Sequence, residues 1–74
     1  MNLPPDPDEM NNDRADYATY ALRAMMKETG CELDEALGDL LCNLRHWCDR
    51  NGQDFDAVNY FAAQTYEEET KEPT

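Results

Sequence analysis

The chain predicts an all-α fold, a compact three-helix bundle with flexible acidic termini, and three observations lead there. Apolar residues recur at intervals of three and four through the middle of the chain. Gly30 and the pair Asn51-Gly52 interrupt that rhythm. No stretch alternates apolar and polar residues as a half-buried strand would. The expected organisation is a flexible acidic leader over residues 1–11, a three-helix domain over 12–69 and a disordered tail over 70–74.

The leader holds three of the four prolines, three acids and little that can pack. The first helix is expected to begin near Asn12 or Asp13, either of which can cap exposed amides. It should end at Thr29-Gly30, where glycine suits a left-handed residue after the last turn. Ala18, Ala21, Leu22 and Met25 fall at helical spacing on one face. Tyr17, Tyr20 and Met26 lie beside or beyond that face, and Met and Tyr are residues that adaptable protein interfaces favour.

The second helix has the strongest pattern. At about 100° per residue, Leu33, Leu37, Leu40, Leu41, Leu44, Trp47 and Cys48 share an arc of about 120°. Asp34 can cap its start and Asn51-Gly52 stops it. The third helix is expected from Asp54 or Asp56, turning Phe55, Val58, Phe61, Ala62 and Thr65 or Tyr66 inward. It should fray at Glu67 to Glu69, whose charges oppose the macrodipole. Short connections make neighbouring helices antiparallel.

Seventy-four residues make one domain, and a chain this short buries only about 60% of the surface its unfolded form exposes. Three cysteines are an odd number, and no apolar segment near Met1 resembles a signal peptide, so a disulfide framework is not expected and a reducing bacterial cytoplasm is. No run approaches the roughly 18 apolar residues of a membrane span. Seventeen Asp and Glu against six Lys and Arg give a net charge of -11. That balance excludes direct binding to nucleic acid or an anionic membrane, both of which require positive potential. A nucleic-acid connection would run through a basic partner. Acidity that serves only solubility is the plainer reading.

Glu35, Asp39, Cys42, His46 and Cys48 lie within fourteen residues and suggest a metal site. On the helical wheel Cys48 falls among the leucines, so the five cannot converge. Asp39, Cys42 and His46 do form a stripe, but structural zinc wants four ligands, usually with a paired-cysteine knuckle. The stripe reads as a solvated face, and neither metal nor cofactor is expected. The chain contains no serine, which excludes a serine nucleophile. A Cys42 and His46 pair would sit on a convex surface without a pocket or a third orienting group. The expectation is a protein that is not an enzyme.

The segment Asp34-Glu-Ala-Leu-Gly-Asp-Leu-Leu-Cys-Asn-Leu, followed by the break at Asn51-Gly52 and by Asp54-Phe-Asp-Ala, resembles the second half of the MazG family of all-helical nucleoside triphosphate pyrophosphohydrolases. The resemblance covers about half the chain and implies magnesium held by paired acidic motifs on two helices, the later being Glu-x-x-Asp. Asp39 matches that aspartate. Ala36 stands at the glutamate position, and the first helix lacks a Glu-Glu-x-x-Glu equivalent, with Asp13, Asp16 and Glu28 scattered. Losing most of the carboxylates should abolish magnesium catalysis.

In type, a very small, strongly acidic helical chain also resembles the accessory proteins of phages and mobile elements, among them anti-CRISPR proteins and other DNA mimics. Such a mimic fills the basic channel of a nucleic-acid-binding protein with carboxylates. Duplex DNA carries about one charge per 1.7 Å, so a length of roughly 25 Å carries on the order of fifteen. Seventeen carboxylates are of that order.

The leading expectation is therefore a non-enzymatic acidic binding protein that blocks a basic nucleic-acid-binding partner or defence complex. The acids expected on structured surface are Asp13, Asp16, Glu28, Glu32, Asp34, Glu35, Asp39, Asp49, Asp54 and Asp56. The alternatives are a degenerate MazG-like helical protein, and a structural dimer or adaptor that uses Tyr17, Tyr20, Met26 and Trp47. Salt separates the mimic, whose binding should weaken steeply as salt rises, from the adaptor, whose binding should hardly change.

Overall fold

The computed structural model describes residues 2–72; the first residue of the leader and the last two of the tail lie outside them. The described residues are all-α, as expected, and form three helices: α1 (Asn11–Thr29), α2 (Leu33–Arg50) and α3 (Phe55–Glu69).

Each boundary has a local cause. The cap of α1 comes from upstream of the expected Asn12 or Asp13. Met10 is the N-cap residue and its own side chain makes no capping bond. Instead Asp8 Oδ1 accepts from the Met10 amide at 3.2 Å and Asp6 Oδ1 accepts from the Asn11 amide at 3.2 Å. The leader carboxylates thus satisfy amides that a helix start leaves free. At the other end Gly30, at φ 74°, donates its amide to the Met26 carbonyl.

Glu32, not Asp34, occupies the N-cap of α2, again without a side-chain bond, and Asp34 and Glu35 lie in the first turn. There the helix dipole favours their charge. The helix closes where the amides of Asn51 and Gln53 both donate to the Cys48 carbonyl, at 3.2 and 3.0 Å. Asp54 caps α3 as expected, accepting from the Ala57 amide at 3.1 Å. The expected C-terminal fraying is set against a stop: the Thr70 amide donates to Tyr66 and Glu67, and its hydroxyl donates to the Tyr66 carbonyl at 2.8 Å.

The helices do not lie as three antiparallel rods. Asn11 Nδ2, at the start of α1, donates to the Glu69 carbonyl, at the end of α3, at 2.9 Å. Arg14 Nε in α1 also meets Glu69 Oε2 at 2.8 Å. In an up-down-up bundle those two ends would be at opposite poles. A helix of 15 residues spans about 22 Å, so α3 bridges that distance between the end of α2 and the start of α1. Helices α1 and α2 therefore diverge from their shared corner at Gly30–Glu32, and the chain forms three sides of a triangle. Both α1 and α3 pack on α2, and α1 meets α3 at the polar clasp of Asn11, Arg14 and Glu69.

This geometry leaves little core. Among the described residues only Ala36 and Cys48, 1% and 6% exposed, are buried. Asn43 Nδ2 lies 3.4 Å from Met25 Sδ of α1, and Ala36, seven residues earlier, falls on the same side of α2 by the turn of the helix. Cys48 sits beneath the turn into α3. Several residues expected inside are not. Leu37 and Phe61 are each 63% exposed, Leu41, Leu44, Val58 and Tyr66 are also exposed, and of the α3 residues expected inward only Phe55 is half-buried. In α1, Leu22 and Met25 are half-buried while Ala18 and Ala21 face solvent. A stripe is buried only where a second element covers it, and the divergence of α1 and α3 withholds that cover.

Candidate functional site

All ten acids expected at the surface are exposed. The triangle sorts nine of them by corner. Glu28, Glu32, Asp34 and Glu35 gather where α1 meets α2. Asp49, Asp54 and Asp56 gather where α2 meets α3. Asp13 and Asp16 lie on the first two turns of α1, at the third corner. Asp39 alone is mid-helix, on the outer side of α2. Corners are separated by a helix length, about 22 to 28 Å for helices of 15 to 19 residues. The acids thus form three separate groups, with Asp39 on α2 between two of them.

Two of the ten also serve the fold. Asp54 is the α3 cap. Asp56 Oδ1 lies 3.8 Å from an Arg45 guanidinium that itself stacks 4.8 Å from the centre of the Phe55 ring. Asp34, Glu35 and Asp56 gain from first-turn positions as well. The others make no ion pair among the described residues, where salt bridges involve Asp8, Glu69 and Asp56 alone.

Sequence reasoning missed the most organised charge cluster. Arg14 is held by Asp8 through two hydrogen bonds, 2.9 and 2.7 Å, by Asn11 Oδ1 at 2.7 Å and by Glu69 at 2.8 Å. The guanidinium beside Asp8 holds its carboxyl below the ordinary value, and the Asp8 carboxylate in turn raises the affinity of Arg14 for its proton. A cleft of about 420 Å³ lies alongside, between Leu3 and Pro4 of the leader, Ala15 of α1 and Tyr66 of α3. With every side of Arg14 engaged, the cleft offers an incoming anion no unpaired charge. No local periodicity announces the clasp, because Asn11 and Glu69 are 58 residues apart; Arg14, a lone cation after a run of leader acids, was its only signal.

Asp39, Cys42 and His46 are exposed along one outer stripe of α2. Among the described residues no three His, Cys, Asp or Glu side chains are grouped as metal ligands would be. Ala36, where the MazG resemblance would expect a glutamate, is the most enclosed of the described residues, on the side of α2 where Asn43 meets α1. No helix of the described residues is long and apolar enough to cross a membrane.

No protein-family model matches the chain, and no curated protein or solved structure matches it either.

Proposed function

We propose that the protein is a non-enzymatic acidic binding protein that blocks a basic nucleic-acid-binding partner, in the manner of an anti-CRISPR-like inhibitor or DNA mimic of a phage or mobile element. The observation that carries this reading is the exposure of all ten structured acids on a chain of net charge -11, with seven of the ten neither capping a helix by a side-chain bond nor paired with a cation nor placed mid-helix alone. Carboxylate clusters spaced along a scaffold can occupy a channel that otherwise tracks a phosphate backbone. Direct contact with nucleic acid has no place in such a mechanism.

The test is recovery of partners from bacterial lysate with the tagged protein at low and high salt. Wild type is compared with a variant carrying Glu32→Gln, Asp34→Asn, Glu35→Gln and Asp39→Asn, its helicity checked by circular dichroism. The proposal expects a nucleic-acid-binding protein or defence complex whose recovery is lost in high salt and in the variant. Partners indifferent to both changes would sink it. The adaptor reading draws on exposed Tyr17, Tyr20 and Trp47; Met26 is half-buried and contributes less to such a surface.

A further inference from the structure

Helix α2 carries a seam that its own chain does not cover. Leu33, Leu37, Leu40, Leu44 and Trp47 follow one another at steps of four, three, four and three, the heptad spacing that aligns apolar residues along the contact line of paired helices. The flanks of this seam are occupied. On one side Asn43 meets Met25 of α1; on the other Arg45 stacks on Phe55 of α3 and the Cys48 carbonyl accepts from the turn that leads into α3. Between them the seam stays open: Leu33 is 73%, Leu37 63%, Leu44 42% and Trp47 56% exposed, and Leu40 is half-buried. It runs for about 21 Å of helix.

We propose that this seam is the interface of a homodimer, the α2 helices of two copies packing against each other about a two-fold axis. Area points to a second copy. The chain exposes 6414 Å², whereas a folded monomer of 8.5 kDa exposes about 4,700 Å². The radius of gyration, 14.5 Å, exceeds the roughly 11 Å of a closed domain of this length. The excess, about 1,700 Å², is shared by the leader, the outer face of α3 and the α2 seam, and it exceeds the roughly 800 Å² that each partner gives to a standard interface. A two-fold contact needs a self-complementary patch, and an uncharged Leu seam supplies one.

Charge would ordinarily keep two such acidic chains apart. Here Asp34, Glu35, Asp39 and Asp49 fall about 100° or more around α2 from the centre of the seam. Pairing therefore turns the acids outward and juxtaposes leucines. Dimerisation does not depend on the proposed binding function, and either can fail without the other.

The test reads mass by sedimentation equilibrium across the micromolar range, together with emission from Trp47, the single tryptophan. Mass is expected to rise from 8.5 kDa to twice that value. Trp47 emission should move to shorter wavelength with the same midpoint, as the indole leaves water. The double variant L37E/L44E should stay at the monomer mass with unshifted emission, while Tyr20→Glu, on the far side of α1, should behave as wild type. Should L37E/L44E lose its helices, the two wild-type readouts decide alone. A wild-type chain that stays at 8.5 kDa overturns the proposal and leaves the seam to a helix of another protein. So does association that leaves Trp47 emission unmoved, or a folded double variant that still dimerises.

Discussion

Ala36→Glu would place a carboxyl group where the structure has no room for one, at the position where the MazG resemblance would expect a glutamate. Ala36 is 1% exposed on the side of α2 that faces α1. A further methylene and a carboxyl group overfill that contact at a cost of about 1–3 kcal/mol. An unmatched buried carboxyl, taking up a proton rather than ionising, adds about 1–3 kcal/mol. The sum, about 4 kcal/mol, is a large part of the roughly 4–11 kcal/mol that a 74-residue chain commands in total. At a urea dependence of about 1 kcal/mol per M, the unfolding midpoint should fall by about 4 M. The assay is urea unfolding followed by circular dichroism at one fixed protein concentration, because self-association would add to apparent stability. Cys42→Glu, an exposed position on the same helix, controls for the added charge and should stay within about 0.5 kcal/mol of wild type. A midpoint for Ala36→Glu within about 0.5 M of wild type would refute the packing of α1 on that face of α2.

Two glycines should respond in opposite directions to alanine. Gly38 lies within α2, where an added Cβ would meet nothing within 4 Å, so Gly38→Ala should stabilise by about 0.5–1 kcal/mol. Gly30, at φ +74°, should lose about 1 kcal/mol or more on the same change, and thermal unfolding distinguishes the two. Removing the α3 cap with Asp54→Ala should cost about 1 kcal/mol in the same assay. The Asp8 carboxyl, held low by Arg14, contributes stability that is fully present above its ordinary value of 3.8 and is lost as pH falls through the lower folded value. The stability difference between wild type and Asp8→Asn should therefore shrink toward zero in that acid range, and a difference that stays constant to the lowest pH would count against the clasp. Thiol labelling should reach exposed Cys42 first, half-buried Cys31 next and buried Cys48 last; equal rates would mean that the α2–α3 corner is open.

Much of the architecture was legible in the chain because helix signals are local. The stops at Gly30 and Asn51-Gly52 and the cap at Asp54 each depend on residues within one turn, and the structure places all of them where spacing and backbone preference put them. The surface position of the ten acids followed from the cost of burying a charge. The outer placement of Asp39, Cys42 and His46, opposite Cys48, followed from the turn of the helix alone. The caps of α1 and α2 were less legible, since Asp6 and Asp8 act on α1 from a proline-rich segment without periodicity and Glu32 stands at the start of α2 without a side-chain capping bond.

The order of residues sets the number, type and ends of the helices and which stripe of each is apolar, since these depend on contacts within a few residues. Whether those stripes are covered is a matter of how the helices meet. The closure of Asn11 and Arg14 on Glu69 across the length of the chain swings α3 away from the α2 seam. Leu37, Leu44 and Phe61 are thereby left in water, although nothing in their spacing distinguishes them from core residues. Periodicity states which side of a helix is apolar, and only the direction of the neighbouring helices states what that side meets.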